Sequence, residues 1–175
     1  NNTAVGYQAG YSNTTGGVTA LGNAALYANT TGSYNTAVGS SALTANTTGA
    51  ANTALGLNSL TTNTTGGYNT ALGVQALNSN TTGSYNTSVG YQAGYSFTGA
   101  GYGNTLVGSG AGYGLTSGTG NTFVGTVNSS GNYCGQLVTT GSKNTILGGY
   151  NGNQGGLDIR TANNYIVLSD GDGNP

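Results

Sequence analysis

Asn69–Tyr85 reads NTALGVQALNSNTTGSY, and most of the chain before Asn121 consists of copies of this phrase. Asn35, Asn52, Asn69 and Asn86 each open a copy, so the period is 86 − 69 = 17 residues. The phrase has three parts: an Asn-Thr-Ala-(Val/Leu)-Gly segment, a short run ending in Ala-Leu, and a polar Asn-Thr-Thr-Gly-Ser-Tyr turn. Fixed apolar and glycine columns at a period near this length are the signature of a solenoid, in which each repeat is one coil stacked on the next. Gly, Asn and Thr are poor helix formers, and no helical apolar periodicity outlasts a single phrase. The pattern therefore predicts an all-β fold: a parallel β-solenoid or β-roll of about 17-residue coils. Each coil would offer two very short strands separated by Gly, with Asn-Thr-Thr-Gly as the turn.

The copies vary along the chain. The first runs from Asn2; the second is one residue short and has Val18 in the asparagine position. Those opening at Asn35, Asn52 and Asn69 are the most regular. The copy from Asn86 repeats the YQAGYS of the first and replaces the usual turn with Phe97-Thr98-Gly99. Copies at Asn104 and Asn121 keep NTLVG and NTFVG but have Gly- and Ser-rich turns. The next asparagine is Asn144, and 144 − 121 = 23, so extra residues are expected around Ser129–Ser142. This divides the chain into a regular solenoid over 1–125, an irregular coil with the last repeat over 126–151, and a connecting or capping β segment over 152–175.

Stacking in register at about 4.8 Å per coil turns the repeats into columns. Ala4, Ala20, Ala37, Ala54, Ala71, Ser88, Leu106, Phe123 and Ile146 form one row, and Val5, Leu21, Val38, Leu55, Leu72, Val89, Val107, Val124 and Leu147 the row beside it. Neighbours on a strand point to opposite faces, so one row lines the coil and the other leaves it. Small alanines suit a narrow interior. The branched aliphatics then face outward and need cover, because an exposed apolar stripe is unfavourable. Val38, Leu55, Leu72, Val89, Val107, Val124 and Leu147 are accordingly candidate oligomer-interface residues, with chain–chain packing about a common axis as the remedy. Ala25, Ala42, Ala76 and Ala93, followed by Leu26, Leu43, Leu77 and Gly94, suggest the same alternation on the second strand. Tyr27, Tyr95 and Tyr113, with Tyr34, Tyr68 and Tyr85 at the turns, read as structural ladders.

Composition limits the alternatives. Gly supplies 35 of 175 residues, hydrophobic residues 35% and charged residues 3%. The core must be thin. Lys143, Arg160, Asp158, Asp170 and Asp172 are the only charges, and two cations cannot neutralise the phosphates a nucleic acid presents. No apolar run is long enough for a membrane span, and no basic-then-apolar signal segment is present. The chain begins inside a repeat and lacks Met, as expected of a piece of a longer or processed protein.

There is no histidine, which rules out a Ser-His-Asp or Cys-His arrangement. The acids fall between Asp158 and Asp172, away from the repeats, so no enzyme activity is expected. Asp170, Asp172 and Asn174 place oxygen ligands at alternate positions, as a Ca²⁺ loop begins, although the downstream Glu is missing; no other cofactor is suggested. Cys134 has no basic neighbour to activate it and reads as a small buried side chain. Asn13, Asn29, Asn46, Asn63 and Asn80 each head an N-glycosylation sequon, read here as turn chemistry.

The NTAVG-xx-AL-xxNTTGSY phrase resembles the repeats of phage tail-fibre and virion-appendage proteins over about Asn2–Gly148. It is also similar, with a longer period, to the β-roll head repeats of trimeric autotransporter adhesins. The passage Gly152–Pro175 resembles the segment that follows such repeats in tail fibres. The resemblance implies a homotrimeric fibre, a location on a virion appendage or cell surface, and partners that include other fibre or virion proteins and a host glycan or receptor. Receptor contacts are expected where the repeat breaks, at Phe97–Tyr102, Tyr113–Thr119 and Ser129–Ser142, with Phe97, Tyr102, Tyr113 and Tyr133 as candidates. The alternative is an ice-binding or matrix-forming single-chain β-solenoid. The Thr14-Thr15 and Thr30-Thr31 pairs argue against ice binding, because adjacent residues in a turn cannot share a flat face.

Overall fold

The computed structural model describes residues 1–99, 101–170 and 172–175. Its main body is a ten-stranded parallel sheet in the order β1-β2-β3-β4-β5-β6-β7-β8-β9-β12. The strands are β1 Thr3–Val5, β2 Val18–Leu21, β3 Asn35–Val38, β4 Thr53–Leu55, β5 Thr70–Leu72, β6 Thr87–Val89, β7 Thr105–Val107, β8 Thr122–Val124, β9 Thr145–Leu147 and β12 Ile166–Leu168. Between the last two lies a small antiparallel hairpin, β10 Asn153–Gln154 and β11 Leu157–Asp158. No helix occurs among the described residues. Each strand is the same part of consecutive coils: Thr53 pairs with Thr70, Ala54 with Ala71 and Leu55 with Leu72. The protein is a parallel β-solenoid with a coil of about 17 residues.

The strand ends at a glycine for a steric reason. Gly56 has φ +139°, and a Cβ there would sit 2.5 Å from the Gly73 carbonyl oxygen of the next coil. Only a residue without a side chain lets successive corners stack this closely.

The Ala-Leu run that follows is not a second strand. Gln75 and Leu77 are left-handed, at φ 59° and 49°, and flank Ala76, which is not. Ser41 and Leu43, and Asn58 and Leu60, repeat this alternation. In a strand, Ala76 and Leu77 would point to opposite faces; here both are fully buried, as are Ala42 and Leu43. A left-handed non-glycine residue costs about 1–2 kcal/mol. Burying a leucine gains about 1.5–3 kcal/mol, and the backbone still bonds across coils, Leu77 N–H donating to Ala93 O at 2.9 Å.

Two asparagine columns complete the interior. In one, Asn46 Nδ2 donates to Asn29 Oδ1 at 2.7 Å and to Gly49 O at 2.9 Å, and Asn63 and Asn80 repeat the pattern. In the other, Asn52, Asn69, Asn86, Asn104 and Asn121 each donate backbone N–H and side-chain amide to the Oδ1 of the preceding asparagine. A buried amide is costly unless paired, and this stacking pairs it. Asn29, Asn46, Asn63 and Asn80 are therefore sealed inside the coil, where a glycan could not be attached.

The extra residues of the 23-residue spacing fall just before and at the start of Ser129–Ser142, and the rest of that stretch is back in frame. Cys134, Gln136 and Thr139 already accept from Gly112, Gly114 and Thr116 of the coil before. The insertion is thus a loop at about 126–132, tied by Asn128 Oδ1, which accepts from the N–H groups of Ser130 and Asn132.

Candidate interaction surface

Strand alternation puts alanine inside and its two neighbours outside. Ala54 is fully buried, whereas Leu55 is 44% exposed; Leu72, Val124 and Leu147 are 41%, 38% and 42% exposed. Val38, Val89 and Val107 are half-buried in the same column. Beyond the glycine corner a second outward column is apolar in several coils, with Tyr7, Leu57, Val74 and Tyr91 exposed. Coils four to six therefore carry the broadest apolar strip.

On the other side of the aliphatic column stand the strand threonines, among them Thr19, Thr36, Thr53, Thr70, Thr87, Thr105 and Thr122. They project from the same face, about 6.8 Å across the strand from the aliphatics and about 4.8 Å from one another along the axis. The strand threonine hydroxyls make no hydrogen bond to protein among the described residues, whereas Thr30, Thr47 and Thr64 in the turns each donate Oγ1–H to a carbonyl of the next coil at 3.0 Å. The sequence pattern contained this row, since Thr and Val/Leu are two apart in every Asn-Thr-Ala-(Val/Leu)-Gly segment.

The expected receptor residues divide. Phe97 is fully buried, which corrects its reading as a surface contact: its ring takes the place of the Asn80 amide inside the next coil. The surrounding Phe97–Tyr102 stretch includes Ala100, which lies outside the described residues. Tyr113 and Tyr133 are half-buried in an aromatic ladder, Tyr95 stacking on Tyr113 at 5.2 Å and Tyr113 meeting Tyr133 at 6.0 Å. Their faces are occupied by each other, leaving edges outward. Tyr102 is 61% exposed. It pairs with Ser84 rather than following Tyr85, so it departs from the stack that Tyr68 and Tyr85 form at 4.9 Å. A shallow cleft between Tyr85 and Tyr102 is floored by Thr82 and Ser84.

At the C-terminal turn, Asp170 Oδ1 accepts from the backbone N–H groups of Asp172 and Asn174, and Asn174 Nδ2 donates to Asp170 Oδ2 at 3.1 Å. The Asn174 side-chain amide, then the Asn174 backbone amide, hold the Asp170 carboxyl below its usual range. These bonds fold the turn around the Asp170 carboxylate. Gly171, between the two acids, lies outside the described residues. Asp158 is paired with Arg160, whose Nη2 lies 2.7 Å from Oδ2. Burial pushes the Cys134 thiol up to about 12 and leaves it in contact with Ile146 O.

Comparisons with family models, with curated proteins and with solved structures return no match to this chain.

Proposed function

We propose that this chain is a segment of a rigid fibre shaft in which copies pack around a common axis through the outward aliphatic column. The appendage would be a phage tail fibre or a cell-surface adhesin, three copies would form the shaft, and its task would be to hold a host-binding element away from the particle. One observation carries this reading: the aliphatic column runs unbroken through β2–β9, in register and without a charge on it. The ten strands span about 43 Å at one coil spacing each. A partner that covers such a strip along its length must present apolar groups at the same interval, and another copy of this chain does so. Receptor contact, if made by the shaft itself, falls to exposed groups such as Tyr102. Solution mass before and after Leu55→Asp and Leu72→Asp tests the packing: an oligomer that becomes monomeric supports it, and an oligomer that survives both substitutions contradicts it.

A second reading is favoured by the threonine column. Unpartnered hydroxyls beside methyl groups, repeated at one spacing on one sheet face, are suited to ordering water, as an ice-binding solenoid does. That role needs the same face open rather than covered. A folded monomer with thermal hysteresis that Thr70→Lys abolishes would establish it in place of the fibre.

A further inference from the structure

Asn29, Asn46, Asn63 and Asn80 stack as a buried amide column, and the same column then continues as Phe97, Leu115, Val138 and Ile159, all fully buried. The change falls between the fifth and sixth coils. It leaves Asn80 Oδ1 without a donor, because Phe97 stands where the next amide would be. The facing column changes in the same place: Ala71 is followed by Ser88, whose buried Oγ also has no partner. These are the two buried side-chain polar atoms left unpaired among the described residues.

Side-chain volume inverts across the same boundary. From the second to the fifth coil the interior combines a small strand residue with a large one in the left-handed run, as Ala71 with Leu77. Beyond it the strand residue is large and the other is glycine. A Cβ on Gly112 would lie 2.8 Å from Leu106, and one on Gly135 would lie 2.4 Å from Phe123. At the boundary Ser88 and Gly94 are both small, and Leu77 and Leu106 close in from either side, each 2.9 Å from where a Gly94 Cβ would be. The second to fifth coils repeat one packing scheme and the seventh and eighth another; the fifth and sixth as a pair share neither.

We infer that the solenoid is built as two cooperative blocks, one up to Tyr85 and one from Asn104, and that it yields first at the coil between them. Stability in a stacked array is a sum of coil terms and nearest-neighbour terms, and a neighbour term with two unpaired buried polar atoms is the weakest in the stack. The strand ladder and the second asparagine column run through the boundary, Asn86 donating to Asn69 and Asn104 to Asn86. Thr81 and Gln92 also bond across it, Oγ1–H to Thr98 O and Nε2–H to Gln75 Oε1; the blocks are therefore joined, with Asn80 Oδ1 and Ser88 Oγ left unpaired at the junction. The inference concerns the coil interior and does not depend on what covers the outer face.

Hydrogen exchange of the whole chain, read by mass spectrometry through a thermal ramp, tests it. The expected result is two sets of peptides with different midpoints, divided between Asn80 and Asn104. One midpoint common to all coils would overturn it, as would a division elsewhere. Ser88→Ala restores the alanine column and removes an unpaired hydroxyl with almost no change in shape, so it should bring the two midpoints closer; a wider separation contradicts the proposal. Phe97→Asn supplies the donor that Asn80 Oδ1 lacks and should lower the midpoint far less than Phe123→Asn, made inside the second block. Equal losses from the two asparagine variants would also overturn it.

Discussion

Asn69 gives Oδ1 of Asn52 two hydrogen bonds, from its backbone N–H at 3.0 Å and from its side-chain Nδ2 at 3.1 Å, and Nδ2 also reaches Gly83 O at 2.8 Å. One side chain thereby ties its own coil to the coil before it and closes its own turn. Both asparagines are buried, so this is a load the apolar interior cannot carry. Asn69→Leu should cost about 3 kcal/mol or more, since Asn52 Oδ1 and Gly83 O each lose one of two donors and the buried Asn86 N–H loses its acceptor, Asn69 Oδ1. Thr53→Ala, on the outer face with no protein partner, should stay within about 0.5 kcal/mol. Chemical denaturation measures both, and equal effects would remove the amide column from the account.

The glycine corners differ in kind. Gly56→Ala drives a Cβ toward the Gly73 carbonyl and should cost more than about 3 kcal/mol, combining overlap with left-handed strain. Gly103 has φ +69° but nothing within 4 Å of its Cβ position. Gly103→Ala should therefore cost only the backbone preference, about 1–2 kcal/mol. A thermal midpoint for Gly56→Ala as high as that for Gly103→Ala would contradict the stacked-corner geometry.

Left-handed residues give the usual helix and strand rules the opposite sign. Ala24 sits at φ 53°, so Ala24→Gly should be neutral or stabilising by up to about 1 kcal/mol, where the same change in a strand would cost 0.5–1 kcal/mol, roughly. Leu77→Ala keeps the backbone and empties the core, and should cost about 2–5 kcal/mol. Calorimetry on the two variants separates conformational from packing effects.

Cys134 supplies a pH prediction. Its thiol is raised from 9.0 to about 12 by burial in the folded chain. A thiol that resists ionisation only when folded stabilises the fold below the unfolded value, and that contribution is lost as pH rises from 9.0 toward about 12. Stability should fall across this window and fall less in Cys134→Ala. Thiol-reactive reagents at neutral pH should modify the folded chain only at the rate at which it opens.

What the sequence made legible follows from what repeats in it. The strand, its register and the division between buried alanine and outward aliphatic rows are all fixed by a period of two inside a period of seventeen, and both are visible in NTALG. Ala-Leu has the composition of a strand, whereas the left-handed angles at Gln75 and Leu77 are imposed by the closed coil rather than by either residue's preference. Phe97 departs from its sequence expectation for a related reason. At a break in the repeat an aromatic looks like an exposed contact, and only the stacked coil reveals that its position belongs to the interior asparagine column. The strand threonines occur in every copy two residues before the aliphatic, so strand parity places both on the outer face.

The aliphatic column is the hinge of the functional account, and the solution mass of the chain tests it most directly. Light scattering or sedimentation should give three times 17.1 kDa, falling to one chain in Leu55→Asp with Leu72→Asp. A stable, folded species of one chain mass would contradict the packed shaft and leave the threonine and aliphatic face open to water.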